Sequence, residues 1–171
     1  MSQSYMNPHP HPHPLASLST REAVTDAVYR ALLGCDDNDA AIFTSAWAGE
    51  DVTFEVHDGD EEKKVFSSLS LIRTAVFERI GAMDTTHSIA NVRVDVQDGA
   101  DMAHLTATAT AQHCPPGRGR EPDGPKFLVG SQYSIHLVKD EVGGAWKIKK
   151  WVLRVTWTQG DPLVMQSIRS T

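Results

Sequence analysis

The sequence predicts an α+β fold, in which a strongly curved antiparallel sheet packs with about three N-terminal helices into a cone-shaped barrel around an apolar pocket. Two observations predict it. In the first half, apolar residues recur at helical spacing in separate stretches; from residue 86 onward long stretches alternate instead. Between those later stretches stand the turn signals Asp98-Gly99 and Gly143-Gly144. Helices followed by a meander of strands pack as one layer against one face of a sheet.

Residues 1–18 read as a disordered tail. The run Asn7-Pro8-His9-Pro10-His11-Pro12-His13-Pro14 removes backbone donors and restricts each residue before a proline. Its histidines are either low complexity or a divalent-metal tract; no metal is assigned to the fold itself. The domain spans 19–164. Ser19 and Glu22 have capping-box spacing, and Val24, Ala27, Val28, Ala31 and Leu32 form the apolar stripe of a helix that ends near Gly34. Cys35-Asp36-Asp37-Asn38 then reads as a tight turn, and Asp39 as the cap of a second helix carrying Ile42, Phe43 and Trp47.

Over 51–57, Val52, Phe54 and Val56 face one way and Thr53, Glu55 and His57 the other, the pattern of a half-buried strand. Asp58-Gly59-Asp60 turns the chain. A third helix starts at Ser67 or Ser68 and runs to about Gly81, with Leu69, Ile72, Val76 and Ile80 inward. Strands follow over 86–97, 101–113, 126–139 and 145–157, with a Pro/Gly loop at 114–125. Residues 165–171 are a short helix or a loose C-terminal tail.

Composition narrows the function. With 171 residues, 40% of them hydrophobic, one domain can bury a sizeable core. The net charge of −6 and the lack of a basic stripe argue against nucleic acid. No stretch approaches the ~18 apolar residues of a membrane span, and no leader-like apolar region opens the chain. Cys35 and Cys114 stand outside CxxC or CxxH clusters, as free thiols in a reducing compartment do, and the protein is read as cytoplasmic. GxGxxG, Walker, HExxH and GxSxG motifs are all missing. No cofactor is therefore expected, and chemistry falls to ordinary acids and bases acting on an enclosed substrate.

His87, at a strand start, is the side chain type best suited to moving protons near neutral pH. Asp36 is either turn chemistry or the carboxylate that orients His87, fixing its tautomer and making it a better base. His113 shares strand parity with Ala103, Leu105, Ala107, Ala109 and Ala111. If that small-residue row faces the concave side, it leaves a cavity that His113 borders. Arg154, inside the apolar strand Trp151-Val152-Leu153-Arg154-Val155-Thr156-Trp157, wants a carboxylate partner or an anionic substrate group. Tyr29, Trp47, Tyr133 and Trp157 are aromatic candidates for substrate binding, with core packing as the competing role for the last three.

These pieces resemble the SnoaL-like superfamily, also described by its nuclear-transport-factor-2-like cone fold. Its members include scytalone dehydratase, bile-acid dehydratase, the dehydrochlorinase of lindane, polyketide cyclases and the small subunit of ring-hydroxylating dioxygenases. The resemblance covers about 19–161. It rests on Asp36-Asp37-Asn38-Asp39 as the D-x-x-D after helix one, and on Thr86-His87-Ser88-Ile89-Ala90-Asn91 as the T-x-H segment. It rests also on Gly130-Ser131-Gln132-Tyr133 and Gly144-Ala145-Trp146-Lys147-Ile148 as the G-x-Y and G-x-W-[KR]-I strands. It implies that Asp36 and His87 form the acid–base pair, that His113 matches the second catalytic histidine of scytalone dehydratase, and that Arg154 is the arginine of the last strand. The tyrosines of scytalone dehydratase have no counterparts: Cys35 stands before Asp36, and Val56, beside His57, takes the other position.

The expectation is a cofactor-independent lyase or isomerase (a dehydratase, isomerase or cyclase) acting on a small hydrophobic, oxygenated secondary-metabolite intermediate. His87 would abstract or shuttle a proton, and His113 would donate to the oxyanion or leaving group. A non-catalytic binding module and an oxygenase small subunit are the alternatives. Self-association into a dimer or trimer is expected through the outer sheet face, where the threonine row 106–110 lies.

Overall fold

The computed structural model describes residues 15–59 and 61–166; the Pro/His run, Asp60 and residues 167–171 lie outside the described residues. The first helix, α1 (Thr20–Asp36), opens on the predicted capping box. The Ser19 hydroxyl accepts the Glu22 backbone N–H, and the Ser19 N–H donates to the Glu22 carboxylate at 2.7 Å. It ends two residues later than expected. Gly34 does not terminate it; a Cβ there would lie 2.6 Å from the backbone nitrogen of Phe43, so this glycine serves close approach of the next helix. Cys35 and Asp36 thus belong to the last helical turn, and the reversal falls on Asp37 and on Asn38, whose φ is 54°.

Helix α2 (Ala40–Ser45) is capped by Asp39, whose carboxylate accepts from Ala41 N–H at 2.9 Å and Ile42 N–H at 3.0 Å. Between the two helices sits Arg30, a buried cation that donates to Asp26, to Ser45 and to the Trp146 carbonyl. With its donors satisfied in this way, the charge is tolerable inside. Helix α3 (Leu69–Ile72), capped by Ser68, continues through a π-helical stretch (Arg73–Phe77) into a last turn (Glu78–Ile80). Leu69, Ile72 and Phe77 are buried, and Val76 and Ile80 pack against the core.

Six strands form one curved sheet in the order β2-β1-β6-β5-β4-β3. They are β1 (Thr53–Asp58), β2 (Lys64–Phe66), β3 (Asp84–Asp95), β4 (Met102–Cys114), β5 (Phe127–Lys139) and β6 (Trp146–Gly160). The short β2 had no periodic signature in the sequence. The sheet departs from the expected antiparallel barrel in two ways. β1 pairs parallel with β6, Phe54 opposite Trp151, and the edges β2 and β3 do not meet, so the cone stays open. Helix α1 lies against β3, β4 and β6 on one face. There Leu105, Ala107, Ala109, Tyr133, Ile135, Leu137, Ile148 and Trp151 build the core. The opposite face carries His104, Thr106, Thr108, Gln132, Ser134 and Arg154, as period-2 alternation demands. No helix among the described residues is long and apolar enough to cross a membrane.

A side chain at position 34 tests the α1–α2 contact. Alanine favours a helix over glycine by about 1 kcal/mol, yet its Cβ would collide with Phe43 backbone. Gly34→Ala is expected to lower the stability by about 2 kcal/mol, measured by urea denaturation; a gain in stability would mean the helices separate freely.

Candidate active site

Asp36 sits in the last turn of α1, a turn with no basic residue, where the helix macrodipole opposes negative charge. Three donors hold its carboxylate there. Thr85 Oγ1 donates to Oδ1 at 2.7 Å, the His87 backbone N–H to Oδ2 at 2.8 Å, and His87 Nδ1 lies 2.6 Å from Oδ1. Thr85 and His87 are alternate residues of β3 and so point the same way, toward the helix end. Burial alone would raise the Asp36 carboxyl, but the hydrogen bonds and charge of His87, with Thr85, outweigh it and hold it below the usual carboxylate value. An ionised Asp36 takes the proton-bearing Nδ1 of a neutral imidazole as donor, which leaves the Nε2 lone pair free. The two side chains are only 11% and 15% exposed.

His113 of β4 stands opposite Thr85 in the ladder, and its ring meets that of His87 edge-on, centroids 5.6 Å apart. Its Nδ1 lies 3.3 Å from the Phe127 carbonyl. A carbonyl only accepts, so Nδ1 carries the hydrogen and Nε2 the lone pair. Burial first, and then the charge of His87, lower its pKa to about 4. In this tautomer the neutral ring gives its one N–H to Phe127 and keeps Nε2 as an acceptor.

On the same face of β5, Tyr133 is hydrogen-bonded to the Ser131 hydroxyl, packs edge-on against Trp151, and is pushed up to about 12 by burial. Cys35 is likewise raised to about 12 by burial and by Asp36, so it stays a thiol. Ala109 and Ala111, opposite Ile89 and His87, provide the small-residue row.

The remaining candidates lie elsewhere. Leu153 pairs with Tyr133 inward, so Arg154 points to the outer face, exposed in a shallow cleft with Asn91, Thr106, Gln132 and Ser134. A bulge between Gly130 and Ser131 leaves the Trp157 indole lying against Gly130, where a Cβ would be 2.0 Å from the ring. Tyr29 is exposed on α1 and lines an open cleft of about 770 Å³ with Leu15, Leu18, Thr25 and Val92. Trp47 is core, packed between Phe43 and Trp151. Neither cleft is lined by Asp36, His87 or His113, which lie in the interior. Thr85 and Ser131 were missed in the sequence; Thr85 is two residues before His87 and Ser131 two before Tyr133, a spacing that puts each pair on one face.

The buried neutral His113 makes stability depend on pH. The unfolded chain takes up this proton at about pH 6.5, the folded one only near 4, so between those values the unfolded state binds more protons and stability falls as pH falls. The loss reaches about 3 kcal/mol. The Asp36 contribution, from a lowered carboxyl, disappears at still lower pH. Urea midpoints across this window should fall in the wild type and flatten in His113→Gln.

A family model for the SnoaL-like domain matches residues 16–152. The chain is 35% identical over 145 residues to the terrestric acid biosynthesis cluster protein E of Penicillium crustosum, covering 85% of this chain and 88% of that protein. Among solved structures it is similar in fold to a candidate scytalone dehydratase of Novosphingobium aromaticivorans, with a TM-score of 0.62 and 22% identity over 81% of this chain and 85% of that one. A hexachlorocyclohexane dehydrochlorinase of Novosphingobium barchaimii aligns with a TM-score of 0.60 and 18% identity, over 83% and 90% of the two chains. The helix–strand order, the open curved sheet and the match over most of its length make this chain a member of the SnoaL-like domain family.

Proposed function

We propose that the protein is a cofactor-independent acid–base catalyst, a lyase or isomerase acting on a small hydrophobic, oxygenated intermediate of secondary metabolism. One observation carries the proposal: the 2.6 Å contact between Asp36 and His87 Nδ1, with Asp36 also fixed by Thr85 and by main chain. An ionised carboxylate on Nδ1 leaves Nε2 as the base and stabilises the imidazolium that forms when it takes a proton. His87 then removes a proton beside a carbonyl, and as imidazolium returns it to a leaving hydroxyl or to another carbon. The first outcome is dehydration and the second isomerisation; where the carbanion instead attacks a second carbonyl, breaking its π bond, the proton goes to that carbonyl's oxygen and the outcome is ring closure. Tyr133, with its oxygen hydrogen-bonded to the Ser131 hydroxyl, rather than His113, supplies the O–H that a developing oxyanion needs. Low water access keeps these interactions strong. The biosynthetic-cluster relative supports the secondary-metabolite setting.

Turnover of candidate intermediates tests the reading. His87→Ala should lose about a hundredfold or more in kcat, and Asp36→Asn should fall as well because the neutral amide neither fixes the tautomer nor stabilises the imidazolium. Arg154→Ala, on the outer face, should keep wild-type kinetics. Full activity in His87→Ala would reject the mechanism.

The outer face of β4, β5 and β6 we assign to self-association, as a dimer or trimer, since its polar, half-buried row from His104 through Thr108 suits sheet-to-sheet contact. Light scattering should return a multiple of the 18.7 kDa chain mass; a monomer mass removes the assignment.

A further inference from the structure

We propose that His104 and His136, on the outer face of the sheet, form a two-imidazole site for a divalent first-row transition ion of the Ni²⁺, Zn²⁺ or Cu²⁺ class. The two residues stand directly opposite one another in the β4–β5 ladder. Period-2 alternation turns both away from the core, since their neighbours Leu105 and Ile135 are fully buried. Their rings lie with centroids 4.8 Å apart and planes 34° from one another. Two imidazoles that bind one ion side by side, each through a nitrogen about 2.1 Å away, have centroids about 5 Å apart. The pair therefore already holds the spacing that a shared ion requires, and an ion placed there ties β4 to β5.

The surroundings suit a ligand pair. His104 Nε2 lies 2.9 Å from Ser134 Oγ, a hydroxyl on the same outward row of β5 as His136. With that hydroxyl as acceptor, the contact fixes the tautomer and leaves Nδ1 its lone pair, as an outer oxygen does for a metal-bound histidine. Asp95 stands opposite His104 on β3, so the neighbouring strand brings a carboxylate to this end of the row. Lys150 stands opposite His136 on β6, but its ammonium is paired with the Glu55 carboxylate at 2.6 Å, which compensates the charge. His136 is exposed and His104 half-buried. Contact between the two rings thus removes little surface from water and stabilises little by itself. Among the described residues no group of three histidine, cysteine or acidic side chains gathers around one point, so water completes the coordination. Imidazole nitrogen with water suits Ni²⁺, Zn²⁺ and Cu²⁺, whereas Mg²⁺ and Ca²⁺ require oxygen ligands.

An ion held between two strands binds the folded chain and raises its stability. Urea denaturation of the full-length protein at about pH 7.5, where an ordinary histidine is neutral, is compared in Ni²⁺ at about 1 mM and in chelator. The expected result is a higher midpoint in Ni²⁺ and in Zn²⁺ and an unchanged one in Mg²⁺. His104→Gln and His136→Gln should each abolish the rise, and Ser134→Ala should weaken Ni²⁺ binding about tenfold. His113→Gln should keep the rise, which separates this site from the interior imidazoles. A chain carrying His9→Gln, His11→Gln and His13→Gln together should keep it too, which separates the site from the Pro/His run. No rise in the wild type, or a rise that persists in both His104→Gln and His136→Gln, overturns the proposal. Chemical protection of the wild type serves if those variants fail to fold. Ni²⁺ should slow modification of His104 and His136 by diethylpyrocarbonate about fivefold or more, read by peptide mapping; equal rates with and without Ni²⁺ overturn the proposal.

Discussion

The Asp36 carboxylate joins the end of the first helix to the first long strand of the sheet. It accepts from a backbone N–H, a hydroxyl and an imidazole of β3, and those three bonds overcome both burial and an adverse helix dipole. Much else is arranged around this one group. The helix has to extend past Gly34 to deliver it, and Gly34 has to be bare for α2 to cross where it does. The strand has to place Thr85 and His87 on one face. A carboxylate in the last turn of a helix is poor local design, and such local conflicts concentrate where a protein performs its function.

The sheet sorts residues by parity. Inward rows hold the core and the hydrogen-bonding groups, while outward rows hold threonines, glutamine, Arg154 and the His104–His136 pair. Chemistry and surface are separated by a single residue step, as between Leu153 and Arg154. Inside, the groups differ in electrical state for physical reasons. Asp36 is stabilised as an anion by its donors, whereas His113, Tyr133 and Cys35 are held neutral chiefly by burial.

Much of this was legible in the sequence. Capping at Ser19, Asp39 and Ser68 depends on side chains that are local in sequence, and the long strands announce themselves by alternation. The Asp36–His87 pair could be named because the order of elements resembles a known family, although 51 residues separate the partners. What failed to show was set by non-local contact. Gly34 looks like a helix stop until Phe43 is seen against it. The tautomer of His113 depends on the Phe127 carbonyl across the ladder. Which way Arg154 and Trp157 face stayed open because strand parity says which residues share a face, and bulges and neighbouring strands decide which face is inward.

The bulge in β3 has a wider meaning. Thr85, His87 and Ile89 face inward at odd positions, yet beyond Asn91, held at φ 53° with its amide on Thr108, the inward residues are Val92, Val94 and Val96. One strand therefore behaves as two segments with independent phase. The distal half can keep its valines beneath the start of α1 while the proximal half changes its residues to suit a new reaction. Such an arrangement lets variation explore the reactive end of the cone without disturbing the half that keeps the domain folded.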